Sequence, residues 1–142
     1  MAHVQDILDS KTNKIHSLAS DDMVIDALRL MARENIGAVA VVDAGRLAGL
    51  FTERLYARNV FLKGRASPKT ALRDVMVRQV VTVSPDTTVE ECMALMSEKR
   101  IRHLPVISEA GVAGMISIGD LMRRIIQDRE FDIEQLVDYI SR

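Results

Sequence analysis

From Val89 onward, apolar residues recur at Val89, Cys92, Met93 and Met96, the i, i+3, i+4, i+7 spacing of one helical face. Just upstream, VVTVS (80–84) is a β-branched run that reads as a strand, and Ser84-Pro85-Asp86 ends it with helix-start chemistry. Downstream, HLPVIS (103–108) and VAGMIS (112–117) read as two strands around the turn Glu109-Ala110-Gly111. A second helix follows, with Leu121, Met122, Ile125 and Ile126 as its apolar stripe. The order of elements is β-α-β-β-α.

The first half of the chain repeats that order. IHSLA (15–19) is a strand, and Val24, Ala27, Leu28 and Met31 mark a helix. AVAVVD (38–43) and LAGLFT (47–52) form a strand pair around Ala44-Gly45-Arg46, and residues 55–61 close the unit as a helix. One constant offset superposes Asp21 on Asp86, Val24 on Val89, Met31 on Met96, Ile36 on Ile101, Val41 on Val106, Gly49 on Gly114 and Arg58 on Arg123 without a gap. VQDIL (4–8) resembles LRDVM (72–76) at a slightly different offset, which the loop GRASPK (64–69) absorbs. The expected fold is α/β (α+β), with repeat 1 over residues 1–65 and repeat 2, carrying a C-terminal helix, over 66–142. A unit of about 60 residues buries too little surface to be comfortable alone. Packing the copies across a pseudo-two-fold axis removes that difficulty. The tail FDIEQLVDYISR (131–142) exceeds the repeat and has helical spacing at Ile133, Leu136, Val137 and Ile140.

Composition narrows the function classes. The net charge of −1 offers no basic patch for nucleic acid, and no apolar run approaches the roughly 20 residues of a membrane span. The first residues lack a secretory signal pattern, and a lone Cys92 makes no internal disulfide, so the expected location is the reducing cytoplasm. Aromatic residues are 4% of the chain with no Trp, so aliphatics and eight Met must fill the core. His3, His16, His103 and Cys92 show no metal-ligand spacing, so no metal is expected. Cys92 lies on the apolar helix stripe and reads as a structural thiol. No nucleophile elbow, P-loop, HExxH or dinucleotide glycine fingerprint occurs, and no enzyme activity is expected, redox use of NAD included.

RIRHLPV (100–106) and GMISIGDL (114–121), with NIGAVAVVD (35–43) and GLFTERLYARNV (49–60) as their first-copy counterparts, carry a family resemblance. The chain resembles a CBS-domain pair, a tandem of the domain named after cystathionine β-synthase, of the stand-alone bacterial type. The resemblance implies a regulatory module that binds an adenine nucleotide (AMP foremost, with ADP, ATP, NAD or S-adenosylmethionine as alternatives) in clefts between the repeats. It also implies a flat homodimer and a target protein encoded elsewhere. Leu121 and Ile125 are the stripe expected to serve that dimer.

The family's binding motif, Gly-x-x-Ser/Thr-x-x-Asp, is matched by Gly114, Ser117 and Asp120. Glycine admits close backbone approach, the Ser117 hydroxyl falls at a helix start, and Asp120 lies one turn on along the same side. Its two oxygens can accept from the 2′ and 3′ hydroxyls of a ribose. The same Ser-x-x-Asp spacing is that of a capping box, in which the two side chains satisfy backbone donors reciprocally. Both roles stand open from the sequence. In the first copy Gly49 and Thr52 match the motif, but Leu55 stands where the carboxylate would be. That cleft is expected to be empty, weak, or filled by a ligand held through phosphate and base. The remaining cleft candidates are Ile15, His16, Ser17, Val81 and Thr82 at the strand starts flanking the base, with Gly37, Ala38, Arg102, His103, Leu104, Pro105 and Gly119 around them. Arg54, beside Thr52, is a phosphate candidate, since similar proteins carry an arginine there facing the cleft. A ligand-free oligomerisation or adaptor module is the alternative reading.

Overall fold

The structure, a computed structural model, describes residues 1–11 and 15–141. Arg142, at the end of the expected tail helix, lies outside the described residues. Helix α1 (Val4–Ser10) leads into strand β1 (Ser17–Leu18), helix α2 (Val24–Glu34) and the hairpin β2 (Ala38–Asp43) and β3 (Arg46–Thr52). A short helix α3 (Glu53–Leu55) runs on into a π-helical segment, Tyr56–Phe61. After 3-10 turns at Ser67–Lys69 and Leu72–Asp74 come α4 (Val89–Lys99), the hairpin β4 (His103–Ser108) and β5 (Gly111–Ser117), and α5 (Ile118–Ser141). The expected pair of β-α-β-β-α repeats is the architecture observed.

The internal symmetry extends to individual bonds. Ala38 pairs with Thr52 in the first hairpin and His103 with Ser117 in the second, and both carry a register shift at the equivalent step, Val41/Val42 and Val106/Ile107. Helices α2 and α4 both end on a left-handed residue, Asn35 and Arg100, each at φ 54°. The Glu53 N–H donates to the Gly37 carbonyl at 3.1 Å, and the Ile118 N–H donates to the Arg102 carbonyl at 2.9 Å.

The leading strands fall short of the sequence expectation. The first is reduced to Ser17–Leu18, parallel to β2, and the second to a single parallel bridge of Val83 with Val106. The difference between the copies has a chemical cause. In the first repeat the Ala40 N–H donates to the His16 carbonyl at 3.4 Å. The residue equivalent to Ala40 is Pro105, which has no N–H to give, so the matching bond to Val81 is absent. The expected helix over 55–61 is present but widens to π geometry, with the Leu62 N–H donating to the Ala57 carbonyl at 3.0 Å. The tail helix is no separate element, because α5 continues unbroken for 24 residues, about 36 Å at 1.5 Å per residue.

Two hydrophobic cores result, and the leading segments are exchanged between them. Val4 and Ile7 of α1 lie in the core of the second repeat with Val83, Val89, Leu104 and Ile116. Leu72, Val75 and Met76 lie in the core of the first with Val24, Val39 and Phe51. The exchange is pinned by backbone bonds: the Val4 N–H donates to the Thr87 carbonyl at 2.8 Å, and the Leu72 N–H to the Asp22 carbonyl at 2.9 Å. Leu121, expected on a dimer surface, is fully buried in the second core, and Ile125 packs against that core. The turn of α5 that faces β4 and β5 leaves Met122 and Ile126 outside instead.

Gly114 and Gly49 owe their identity to this exchange. A Cβ on Gly114 would stand 2.7 Å from Leu8 Cδ2, and one on Gly49 would stand 2.6 Å from the Val77 carbonyl and 2.7 Å from Met76 Sδ. The space expected to admit a ligand at Gly114 is therefore occupied by a packed leucine. Leu8 can rotate away, whereas the Val77 backbone, bonded both ways to Leu50 at 2.9 and 3.0 Å, cannot. Gly49→Ala should therefore cost about 2–3 kcal/mol in urea unfolding, and Gly114→Ala about 1 kcal/mol. Equal losses would contradict this assignment.

Candidate functional site

Two clefts lie between the repeats and share the wall Gly37, Arg102 and His103. One is served by Asp120 and has a volume of ≈ 520 Å³; the other is served by Leu55 and has ≈ 450 Å³. Both fall within the range of small-molecule sites. Each takes its helix-start motif from one repeat and its other wall from the β1-like segment and helix end of the opposite repeat.

In the Asp120 cleft, β5 hands over to α5 at Ser117. The Asp120 N–H donates to Ser117 Oγ at 3.2 Å, and the Ser117 N–H donates to Asp120 Oδ2 at 2.9 Å. The reciprocal cap is thus present. Two cations complete the carboxylate's surroundings: Lys11 Nζ donates to Oδ2 at 2.9 Å, and Arg123 Nη2 to Oδ1 at 2.7 Å. Lys11 also donates to the Met115 carbonyl at 2.8 Å. Asp120 is only 8% exposed, and it is the buried charged residue among those described. Burial is the strongest single influence on its carboxyl and opposes ionisation. The Ser117 amide and the Lys11 ammonium together outweigh it and hold the carboxyl below its ordinary value of 3.8.

Ile15, His16, Gly37, Ala38, Arg102, His103, Ser117 and Gly119 line this cleft with Asp120. His16 Nε2 is buried without a hydrogen-bond partner, 3.8 Å from Glu34 Oε2. His103, half-buried, titrates below its ordinary 6.5, first because of burial; Asp120 pulls the other way, while Arg102 and Lys11 reinforce the depression. The Leu55 cleft takes Thr52, Arg54 and Val81 beside the shared wall. There Thr52 Oγ1 accepts from the Leu55 N–H at 3.1 Å, and Arg54 Nη1 crosses to the Arg100 carbonyl at 3.3 Å.

Four expected residues line neither cleft. Ser17 and Thr82 are exposed beside it, and Leu104 and Pro105 are buried within β4, Leu104 in the second core. Alternation along a strand explains Leu104: His103 faces the cleft, so its neighbour faces the core. Lys11, Glu34 and Arg123 line the Asp120 cleft without having been foreseen. Arg123 could have been flagged, since the repeat superposes it on Arg58. Lys11 reaches Asp120 across 109 residues of sequence, a contact only the segment exchange creates. Among the described residues no cluster suits a metal ion, and no helix is long and apolar enough to cross a membrane. Cys92 is buried, and burial, followed by Glu91, pushes its thiol up to about 11, which leaves it inert.

Comparison with known proteins agrees with this geometry. A family model described as CBS domain matches residues 4–58 and 72–127, and the chain belongs to that family. CBS domain-containing protein CBSX3, mitochondrial, of Arabidopsis thaliana is 41% identical over 127 residues, which is 86% of this chain and 62% of that protein. The chain thus spans less than two thirds of that relative's length. A solved structure of a CBS-domain protein from Burkholderia ambifaria MC40-6 is 44% identical, covers 89% of this chain and 96% of that one, and superposes with a TM-score of 0.85. A CBS domain pair solved in complex with 5′-methylthioadenosine and S-adenosyl-L-methionine has the same fold, at 24% identity, 90% and 98% coverage and a TM-score of 0.79. The chain is a CBS-pair regulatory module.

The titrations have opposite chemistry but the same sign. The folded state resists protonating His103, so the unfolded chain binds more protons below pH 6.5 and stability declines as pH falls through that point. The folded state likewise resists protonating Asp120, and that contribution is lost as pH falls through and below 3.8. Urea midpoints measured from pH 8 to pH 3 should drop in two stages. His103→Gln should flatten the upper one and Asp120→Asn the lower. A profile unchanged by either substitution would contradict the assignment.

Proposed function

We propose that the protein senses an adenine nucleotide in the Asp120 cleft and transmits the resulting rearrangement of its repeats to a partner protein. The observation that carries this reading is the buried carboxylate held between two cations at the junction of the repeats. The vicinal hydroxyls of a ribose donate to Oδ1 and Oδ2 in place of Arg123 and Lys11. The two displaced cations then meet the phosphate, with Arg102 beside them. The base lies against Ile15. AMP suits the cleft best, and ADP, ATP and NAD carry the same adenosine 5′-phosphate. S-adenosylmethionine brings a sulfonium toward three cations and is disfavoured. No reaction is assigned to the site. The module acts by binding, in the reducing cytoplasm to which a single buried thiol is suited.

Asp120 also has a full set of partners from its own chain, which favours the second reading, a ligand-free adaptor. Calorimetry with AMP and 2′-deoxy-AMP separates the two. AMP should bind, and removal of one hydroxyl should weaken it by about 1.5–3 kcal/mol, roughly 10- to 100-fold. Thermal unfolding at about 100 times the dissociation constant should show about 2.7 kcal/mol of stabilisation. Equal affinity for both ligands would remove Asp120 from ribose recognition, and no binding of either by nucleotide-free protein would transfer the function to the adaptor.

The partner implied first is a second copy. Phe61 and Ile126 occupy equivalent positions of the two repeats and are 69% and 51% exposed. A homodimer that aligns two pseudo-two-fold axes covers both at once. Sedimentation should give a dimer mass at micromolar concentration, and Phe61→Asp with Ile126→Asp should give a monomer. A monomeric parent protein would remove the dimer from this reading.

A further inference from the structure

Helix α5 leaves the second core after Ile125, and every residue from 129 to 141 is exposed. About 20 Å of helix therefore stands without a packed face. A helix of that length is marginal in water unless an amphipathic face is covered. The apolar residues here form such a face: Ile126, Ile133, Val137 and Ile140 fall on one stripe, with Ile133 and Ile140 60% and 80% exposed. The polar residues are mostly acidic. From Asp128 to Ser141 there are five carboxylates against one cation, Arg129. Asp128 and Asp132 are paired within the helix, with Arg124 and Arg129, each at 3.2 Å. Glu130 and Glu134, one turn apart beside the stripe, belong to no ion pair among the described residues.

The complement of this surface lies in the first repeat. From Arg54 to Arg73 the chain carries six cations and no Asp or Glu. Arg54 and Arg73 are engaged, by the Arg100 carbonyl and by Asp21. Arg58, Lys63, Arg65 and Lys69 are exposed and belong to no ion pair among the described residues. Along the chain they bracket Phe61 and Leu62, 69% and 76% exposed. An apolar pair set among cations matches an apolar stripe edged with carboxylates, in both character and sign. Both surfaces are open in the single protomer, so the contact they suit is between copies.

We propose that the homodimer is head-to-tail, and that the α5 tail of each protomer docks along the basic segment 58–69 of its partner's first repeat. The inference rests on the homodimer reading and adds its orientation. Ile126 then meets the partner's Phe61, and the helix running on from Ile126 reaches about 22 Å past that point. Symmetry makes the contact twice in each dimer. Pairing tail with tail would oppose like charges instead and set Arg129 in the seam between Ile126 and Ile133.

Sedimentation equilibrium of two charge reversals tests this: Glu130→Lys with Glu134→Lys in the tail, and Lys63→Glu with Lys69→Glu in the basic segment. Each variant alone should dimerise about tenfold more weakly than wild type. An equimolar mixture of the two should recover wild-type affinity, because the mixed dimer restores both contacts. Should far-ultraviolet circular dichroism show the reversed tail unfolded, wild type in about 50 and about 500 mM salt serves instead, and the dimer should weaken as salt rises. A dimer weakened by the tail reversal but indifferent to the segment reversal pairs tail with tail and overturns the proposal. So does a dimer indifferent to both. A segment reversal that spares the dimer but abolishes binding to phosphatidylserine vesicles assigns the cations to a lipid surface, and overturns it likewise. A monomeric wild type registers separately, as failure of the homodimer reading itself.

Discussion

The structure depends on the exchange of its leading segments. Neither repeat completes its core with its own preceding residues: Val4 and Ile7 close the second, and Leu72, Val75 and Met76 close the first. Separating the halves would therefore open both cores at once, so a unit too small to be comfortable alone gains stability from its twin. The exchange also locates the clefts. It brings Lys11 to Asp120 and Val77 to Leu50, and each contact forms one edge of a cleft. Packing and site geometry are consequences of one topological feature.

Within that symmetric frame, a few substitutions make the clefts unlike. Asp120 and Lys11 face Leu55 and Gln79 across the pseudo-axis, and Gly119 faces Arg54. The first pair costs desolvation of a carboxylate, which is offset only because every oxygen finds a donor. The leucine carries no such cost and packs against the first core. The Asp120 side therefore stores its polarity in a buried network. The Leu55 side carries its charge on exposed arginines, in solvent that weakens each of them individually.

Much of this was legible in the chain. The helical stripes from Val24 and Val89, the two hairpins and their register under one offset all follow from periodicity, because local pattern sets local structure. The strand starts were over-read for a specific reason: VVTVS has the propensity, but Pro105 on the opposite strand withholds the bond that would extend the ladder. Periodicity alone leaves Leu121 and Ile125 as a surface stripe, because it does not say what covers them. The burial of Leu121 in the second core, with Ile125 packed against it, is a tertiary fact, as is the occupation of Gly114's space by Leu8. The resemblance in VQDIL and LRDVM was visible, but their exchange between the cores was not, and Lys11 was missed with it. A contact spanning the chain leaves no trace in short-range spacing.

The shared wall gives the two clefts a physical means of influencing each other. Gly37, Arg102 and His103 border both, and a Cβ at Gly37 would stand 3.5 Å from the His103 ring and 3.0 Å from Glu53 Oε1. With so little slack, an anion drawing Arg102 to one side leaves the other with one cation fewer. Two anionic ligands would then compete for that guanidinium, and coupling between the clefts would be unfavourable and, by linkage, reciprocal. A ligand acts on the arrangement of the repeats only through its differential affinity for alternative arrangements. Lys11 and Arg54 are where such a difference can arise, since each bonds across the junction and each lies where an incoming anion would compete for it. A response to a ligand would thereby be confined to side chains that tie one repeat to the other, with the exchanged cores as the fixed frame.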